Sequence, residues 1–357
     1  MNAAQNLAEG AVGVALLHLE NGCRDAAFTA LKAAVADGVS TAGGASLYYG
    51  APALAFVLAS ADLPGLAPAK AIAAEGTATV TRNRLEAAHR RIDRHQRPPY
   101  SEFDLIRGLT GLGVALRCIG DHSLLREVLT YLVRLTEPLD GLPGWWCPTG
   151  PNRDRPGPAG GHSNHGLAHG ITGPLALLAL TLIDGIEVAG QCSAITRICS
   201  WLDQWERRDE HGRWWPEILT LGQLDQHDAW PPGPPRASWC YGTPGVARAQ
   251  QLAARALEDP VRQSAAEAAF TACAGDADQV GRLTGRGLCH GTAGLLATGR
   301  RIAADAPVPI SLTPLLLRHQ HAAAALDEPN GLLDGTAGVE LVTAGITTSW
   351  DASLLLC

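Results

Sequence analysis

Apolar residues along this chain gather into short, nearly unbroken runs, each opened by a glycine step and followed by a segment charged on one side only. The steps have the form Gly-x-x-Gly and begin at Gly10, Gly50, Gly108, Gly170, Gly242, Gly291 and Gly335. The second copy is degenerate, Gly50-Ala-Pro-Ala53. A run that is apolar nearly all round suits a helix buried on every side, whereas a segment such as 82–94, charged on one face, suits an outer layer. The steps lie 40, 58, 62, 72, 49 and 44 residues apart, so each interval holds two helices and their connections. Strand signals are few. Helical hairpins of this kind cannot bury both faces alone and must stack on one another. The pattern predicts an all-α protein: an α/α toroid of seven inner and seven outer helices, with 1–357 as one unit. Glycines at the helix starts are expected to allow close approach of neighbouring helices and turns with positive φ.

Two stretches break the pattern, near 143–168 and 211–239. Both are rich in Pro, Gly and Trp, with Trp145-Trp146 in one and Trp214-Trp215-Pro216 in the other. Irregular segments of this length inside a compact domain are usually functional, and these are expected to wall a cavity. Residues that precede the same turn in each repeat should project at the same end of a toroid. Asp104, His169, Cys240, Cys289 and His290 all do so, which brings distant residues to one rim.

Two thiolates and an imidazole are good zinc ligands, and three protein ligands leave one position open, as catalytic zinc requires. Residue types alone also allow Cys240, Cys289 and His290 to be buried apolar cysteines beside a capped histidine. His169 suits an acid or base, because imidazole titrates near neutral pH; its plain alternative is a structural histidine at a helix start. Asp104, about one turn ahead of its glycine, would orient and charge His169, or simply favour the helix dipole. Arg236, four residues before Cys240, would stabilise an oxyanion. Asp334 reads as a helix cap, and His162 and His165 as loop histidines facing solvent, with additional metal ligands as the alternative.

With 28 basic and 35 acidic residues the net charge is −7, and no long basic run appears, which argues against nucleic acid. Mild acidity would favour a cationic peptide if the partner is a peptide. Residues 1–10 lack the marks of a signal peptide. The longest apolar stretch, 175–183, falls well short of the roughly 20 residues of a membrane span. Nine cysteines, an odd number, without a secretion signal point to a reduced compartment, the cytoplasm. Cys23, Cys118, Cys192, Cys199 and Cys273 read as small buried hydrophobes.

Three motifs, in order, resemble those of the LanC family, the lanthionine (lantibiotic) cyclases: Asn-x-Gly-x-Ala-His-Gly at 164–170, Trp-Cys-Tyr-Gly-x-Pro-Gly at 239–245 and Cys-His-Gly-x-Ala-Gly at 289–294. Trp350-Asp351 followed by Leu354-Leu-Leu356 resembles the family's ending. The resemblance implies an α/α toroid with a central zinc ion held by Cys240, Cys289 and His290. It also implies an enzyme that adds cysteine thiols of a dehydrated precursor peptide, leader plus core, to dehydroalanine or dehydrobutyrine, closing thioether rings. Asp104, His169, Arg236 and Tyr241 match the family's active-site positions, with Tyr241 a second candidate proton donor beside His169. Family partners would be a dehydratase and a transporter, and through them the membrane.

Two departures stand out. The second and third repeats lie too close to hold much of the inserted subdomain that some members carry, which leaves leader recognition open. His165 is unusual within its motif. Among rival readings, a prenyltransferase β subunit would need an aromatic isoprenoid pocket, yet the chain has four Phe and five Tyr. A glycosidase would need a carboxylate pair, and only Asp104 and Asp334 offer one. The stronger rival is a LanC-like zinc-containing scaffold that binds peptide or glutathione without closing rings.

Overall fold

A computed structural model describes residues 3–61, 64–150, 157–210, 212–324, 326–345 and 348–357. Thirteen helices of nine or more residues account for half of these. In chain order they are α1 (Ala11–Glu20), α2 (Arg24–Val35), α3 (Ala51–Ala59), α4 (Ala67–Asp93), α5 (Leu109–Ile119), α6 (His122–Leu135) and α7 (Thr172–Ile183). Then follow α8 (Gln191–Gln204), α9 (Thr243–Ala256), α10 (Pro260–Gly275), α11 (Thr292–Asp305), α12 (Thr313–His321) and α13 (Thr336–Ala344). Each odd-numbered helix packs on the next odd one, and α13 packs back on α1, so the seven inner helices close a ring. Even-numbered helices lie outside, each against the inner helix before it. The fold is an α/α toroid.

The hydrophobic pattern explains the two layers. Every residue from Thr172 to Thr181 in α7 is buried, as is every residue from Thr243 to Ala254 in α9. The outer α6 and α8 bury only one stripe, Leu124, Val128, Leu132 and Leu135 on α6, for example. One expected feature differs. Among the described residues the outer ring has six long helices, not seven, because α13 is followed by a buried 3-10 turn, Trp350–Leu354. This apolar tail turns inward instead of covering the outside. Its carbonyls accept hydrogen bonds from Tyr48, Arg117, Trp239 and Arg248, and Asp351 pairs with Arg301 at 2.6 Å, so side chains of four repeats hold it in the ring's hollow.

The glycine steps work by close approach. Of the seven leading glycines only Gly50, in the degenerate copy, has positive φ, 75°. The trailing glycines matter because the carbonyl six residues earlier lies against the helix. A Cβ on Gly338 would sit 2.0 Å from Leu332 O, one on Gly294 1.9 Å from Leu288 O, and one on Gly111 2.0 Å from Leu105 O. Gly338→Ala should therefore destabilise the fold by about 2–3 kcal/mol despite alanine's better helix propensity. Denaturant unfolding checks this, and an unchanged midpoint would contradict it.

That contact pins the segment ahead of each inner helix, and successive segments join by backbone hydrogen bonds around the rim. Ala168 N–H donates to Cys240 O, Cys240 N–H to Cys289 O, Cys289 N–H to Leu333 O and Leu333 N–H to Ala8 O. The residue two before each leading glycine thus occupies one register at the ring's mouth.

The two irregular stretches are not wholly coil. His162–Asn164 pairs antiparallel with Ile218–Thr220, so the loops are zipped together at the mouth; Arg207–Asp209 pairs with Gly212–Trp214. All nine cysteines are free. Cys199 and Cys273 are buried as expected, but Cys23 and Cys192 are exposed, since each lies at or near the start of an outer helix. No helix among the described residues is long and apolar enough to cross a membrane.

Candidate active site

The rim register brings Cys240, Cys289 and His290 together: one ligand atom of each lies within 4.8 Å of the other two. Two thiols and an imidazole at such separations suit a tetrahedral ion, whose ligands stand roughly 3.5–4 Å apart. Electrostatics point the same way. The hydrogen bond from Cys289 holds Cys240 well below the usual thiol range, against the opposing effect of burial. The same bond, then burial, pushes Cys289 up, and the hydrogen bond to Cys240 raises His290. A thiol whose neighbours favour its charged form is suited to hold a cation.

Asp104 is fully buried, and its Oδ2 lies 2.7 Å from His169 Nδ1. Its Oδ1 accepts from Arg107 N–H at 2.8 Å. The carboxylate is thus fixed by the turn before α5 and aimed across to the next repeat, which fits an orienting role better than a simple dipole effect. His169, a quarter exposed, presents its remaining nitrogen to the mouth. Tyr100 packs edge-on against its imidazole at 5.5 Å, and Tyr241 lies on another side at 6.1 Å.

Tyr241 itself is fixed from the histidine motif. Asn164 Nδ2–H donates to Tyr241 Oη at 3.1 Å, while Asn164 Oδ1 accepts from Gly166 N–H at 2.9 Å. Gly166 is required here, because a Cβ would meet the Tyr241 ring at 2.7 Å. Burial pushes the Tyr241 phenol up, so at neutral pH it keeps its proton and can donate it in a hydrogen bond. Arg236 Nε is buried without a hydrogen-bond partner. Its charge acts on Cys289, His290 and Asp334, so the guanidinium stands beside the cysteine cluster.

Three expectations need correcting. Asp334 caps nothing; it projects from the rim to 4.0 Å from His290 Nδ1, because its position directly before Gly335 faces the mouth. His162 and His165 do not face solvent; both are 1% exposed, drawn in by the strand that pairs the two loops. One acidic group escaped notice. Partial desolvation raises the Glu217 carboxyl, although the residue as a whole is exposed; it feels Arg236 and Cys240, and only the loop pairing reveals that 217 reaches the site.

His165 is a junction. Its Nδ1 donates to Pro216 O at 3.1 Å, its Nε2 accepts from Trp201 Nε1–H at 3.1 Å, and its backbone N–H donates to Glu217 O at 2.9 Å. Burial drives its pKa down to about 4. A histidine lowered from 6.5 binds its proton less well folded than unfolded, so its contribution to stability is complete above pH 6.5 and falls away toward pH 4. Between pH 8 and pH 5 the loss should be about 2 kcal/mol. Urea unfolding at both pH values should show this extra slope in the native protein and not in His165→Gln; equal slopes would refute it.

Fold and site together define a class: a seven-repeat helical toroid with a Cys, Cys, His metal-type cluster at its mouth, facing a histidine–aspartate pair. The family model described as "Lanthionine synthetase C-like protein" matches residues 4–306, and the chain belongs to that family. It is 27% identical over 157 residues to nisin biosynthesis protein NisC of Lactococcus lactis subsp. lactis, a match spanning 42% of this chain and 37% of that relative. The solved structure of a nisin cyclase shares the fold at a TM-score of 0.80 and 21% identity, covering 100% of this chain and 93% of that one.

Proposed function

We propose that this protein, taken over 1–357 as one unit, is a zinc-dependent lanthionine-forming peptide cyclase. The observation that carries the reading is the meeting of the Cys240, Cys289 and His290 cluster with the His169–Asp104 pair at one mouth. The substrate is a dehydrated precursor peptide bearing cysteine thiols and dehydroalanine or dehydrobutyrine. The reaction belongs in the cytoplasm, downstream of a dehydratase and ahead of export.

Cys240, Cys289 and His290 are the residues that would hold zinc. When bound, the ion would keep a thiol, otherwise mostly protonated near pH 7, as the nucleophilic thiolate. The protein's own groups handle the rest. A carbon–sulfur bond forms at the β-carbon of the dehydro residue, and the alkene's π electrons move toward the α-carbon and its carbonyl, giving an enolate. Arg236 faces that oxygen as the stabilising cation. His169, held at Nδ1 by Asp104, delivers a proton to the α-carbon. Tyr241 supports the enolate by hydrogen bonding and is the second candidate donor. The thiol proton is in effect moved to carbon, so no oxidant or reductant is needed.

The test is incubation of the purified protein with a dehydrated precursor peptide, with and without a zinc chelator. Thiol alkylation and mass spectrometry then count unreacted cysteines. The reading predicts loss of alkylatable thiol that the chelator abolishes. Thiols that stay free in both arms would favour a scaffold that binds peptide without closing rings.

A further inference from the structure

The mouth of the toroid is lopsided. Repeats four to six, with Asp104 of the third, carry the chemistry, and the two zipped loops stand over that side. Beside repeats one to three an open groove of about 510 Å³ runs along the same rim. Its floor includes Ala8, Tyr48 and Ile106, the residues two before their leading glycines, the register that Cys240 and Cys289 occupy farther round. Groove and site thus share one rim, joined by backbone hydrogen bonds from Leu333 N–H to Ala8 O and from Cys289 N–H to Leu333 O. A chain whose reacting residue sits at the cysteine cluster has its neighbouring residues on this bed.

The charge of the groove is local and opposite to that of the molecule. Arg84 and Arg107 line it. The Arg84 guanidinium donates only to backbone carbonyls, Arg107 O and Gly43 O, so no carboxylate balances it directly. The Arg107 side chain makes no hydrogen bond or ion pair among the described residues, although its backbone N–H donates to Asp104. The one carboxylate in the lining, Glu102, is already spent on Arg91 at 2.7 Å and on the Tyr131 hydroxyl at 2.8 Å. The bed is apolar with two cations at the third-repeat end, neither held in an ion pair and Arg84 only under the more distant charge of buried Asp104, in a chain of net charge −7. At the other end Glu9, exposed beside Ala8, adds negative charge and sets a direction.

We propose that this groove binds an extended segment of the substrate peptide in which an acidic side chain stands among small or apolar residues, its carboxylate on Arg84 and Arg107. The proposal rests on the peptide-cyclase reading for the identity of the occupant. Whole-chain acidity pointed weakly to a cationic partner; the groove's own charges reverse that for this segment. Backbone groups of an extended peptide stay free to bond water or the rim, while the carboxylate supplies register.

The probe is a fluorescein-labelled peptide of about ten residues, alanine and leucine around a single aspartate. It contains neither cysteine nor dehydro residues, so its binding is independent of ring chemistry. Fluorescence anisotropy against the full-length protein should show it binding roughly tenfold more tightly than the asparagine counterpart. Arg107→Glu should erase that preference and transfer it to a lysine counterpart. Arg107→Gln, a milder change, should erase it without transfer. Ala87→Trp, which fills the groove from the exposed face of α4, should weaken the aspartate peptide by a similar factor with an unchanged melting curve. Equal affinity for the aspartate and asparagine peptides, or a preference that survives these substitutions, overturns the proposal. Selective binding without ring formation would instead count against the cyclase reading alone.

Discussion

Cys289→Ala is expected to strip the protein of zinc and to abolish ring formation within detection. The loss should exceed the roughly 10–100-fold typical of changes behind the ligands, because a ligand itself is gone. Two remaining donors do not make a catalytic zinc site, and Cys240 loses the neighbour that lowers its thiol below the usual range. The fold should survive, since Cys289 is only partly buried and the ring closes through α13 on α1. Cys273→Ala is the matched control: a buried thiol on α10 that is not one of the three cluster residues should keep both metal and activity. Elemental analysis and alkylation-based mass spectrometry read both outcomes. An active, zinc-loaded Cys289→Ala protein would contradict the account.

His169→Ala is expected to lower the cyclisation rate by about 10²–10⁴, the range of a positioned general acid or base, while leaving zinc content unchanged. That pairing separates the proton step from metal binding. His169 belongs to the fourth repeat and makes no hydrogen bond to the three cluster residues, so its loss does not disturb their geometry. Asp104→Asn should cost less, about 10–100-fold, because the imidazole remains but is no longer fixed and charged at Nδ1. If Tyr241→Phe shows the larger loss and His169→Ala only a small one, the phenol and not the imidazole is the proton donor. Deuterium from solvent at the α-carbon of the product, with scrambled stereochemistry in one variant only, would identify the residue directly.

Much of this was legible from glycine spacing. Seven steps over residues 10–338 give the inner ring, and places one or two residues ahead of Gly170, Gly242 and Gly291 bring His169, Cys240, Cys289 and His290 to one rim. The Asp104–His169 bond follows from adjacency of the third and fourth repeats. What could not be read depends on long-range register. The pairing of 162–164 with 218–220 has no signal in either loop, yet it buries His165, anchors Asn164 under Tyr241 and carries Glu217 to the mouth. The inward tail is another case: Trp350-Asp351 and 354–356 stand out in sequence only as a terminal motif, and the donors Tyr48, Trp239 and Arg248 explain why it lies inside. Nor does sequence say why each trailing glycine is needed, because the carbonyl it accommodates lies six residues back across a turn.

The most direct measurement is zinc-edge X-ray absorption on the purified protein. The account predicts one ion per chain bound by two sulfurs at about 2.3 Å and at least one imidazole nitrogen at about 2.0 Å. A coordination shell without sulfur, a four-sulfur shell, or protein that holds no zinc after careful reloading would contradict it.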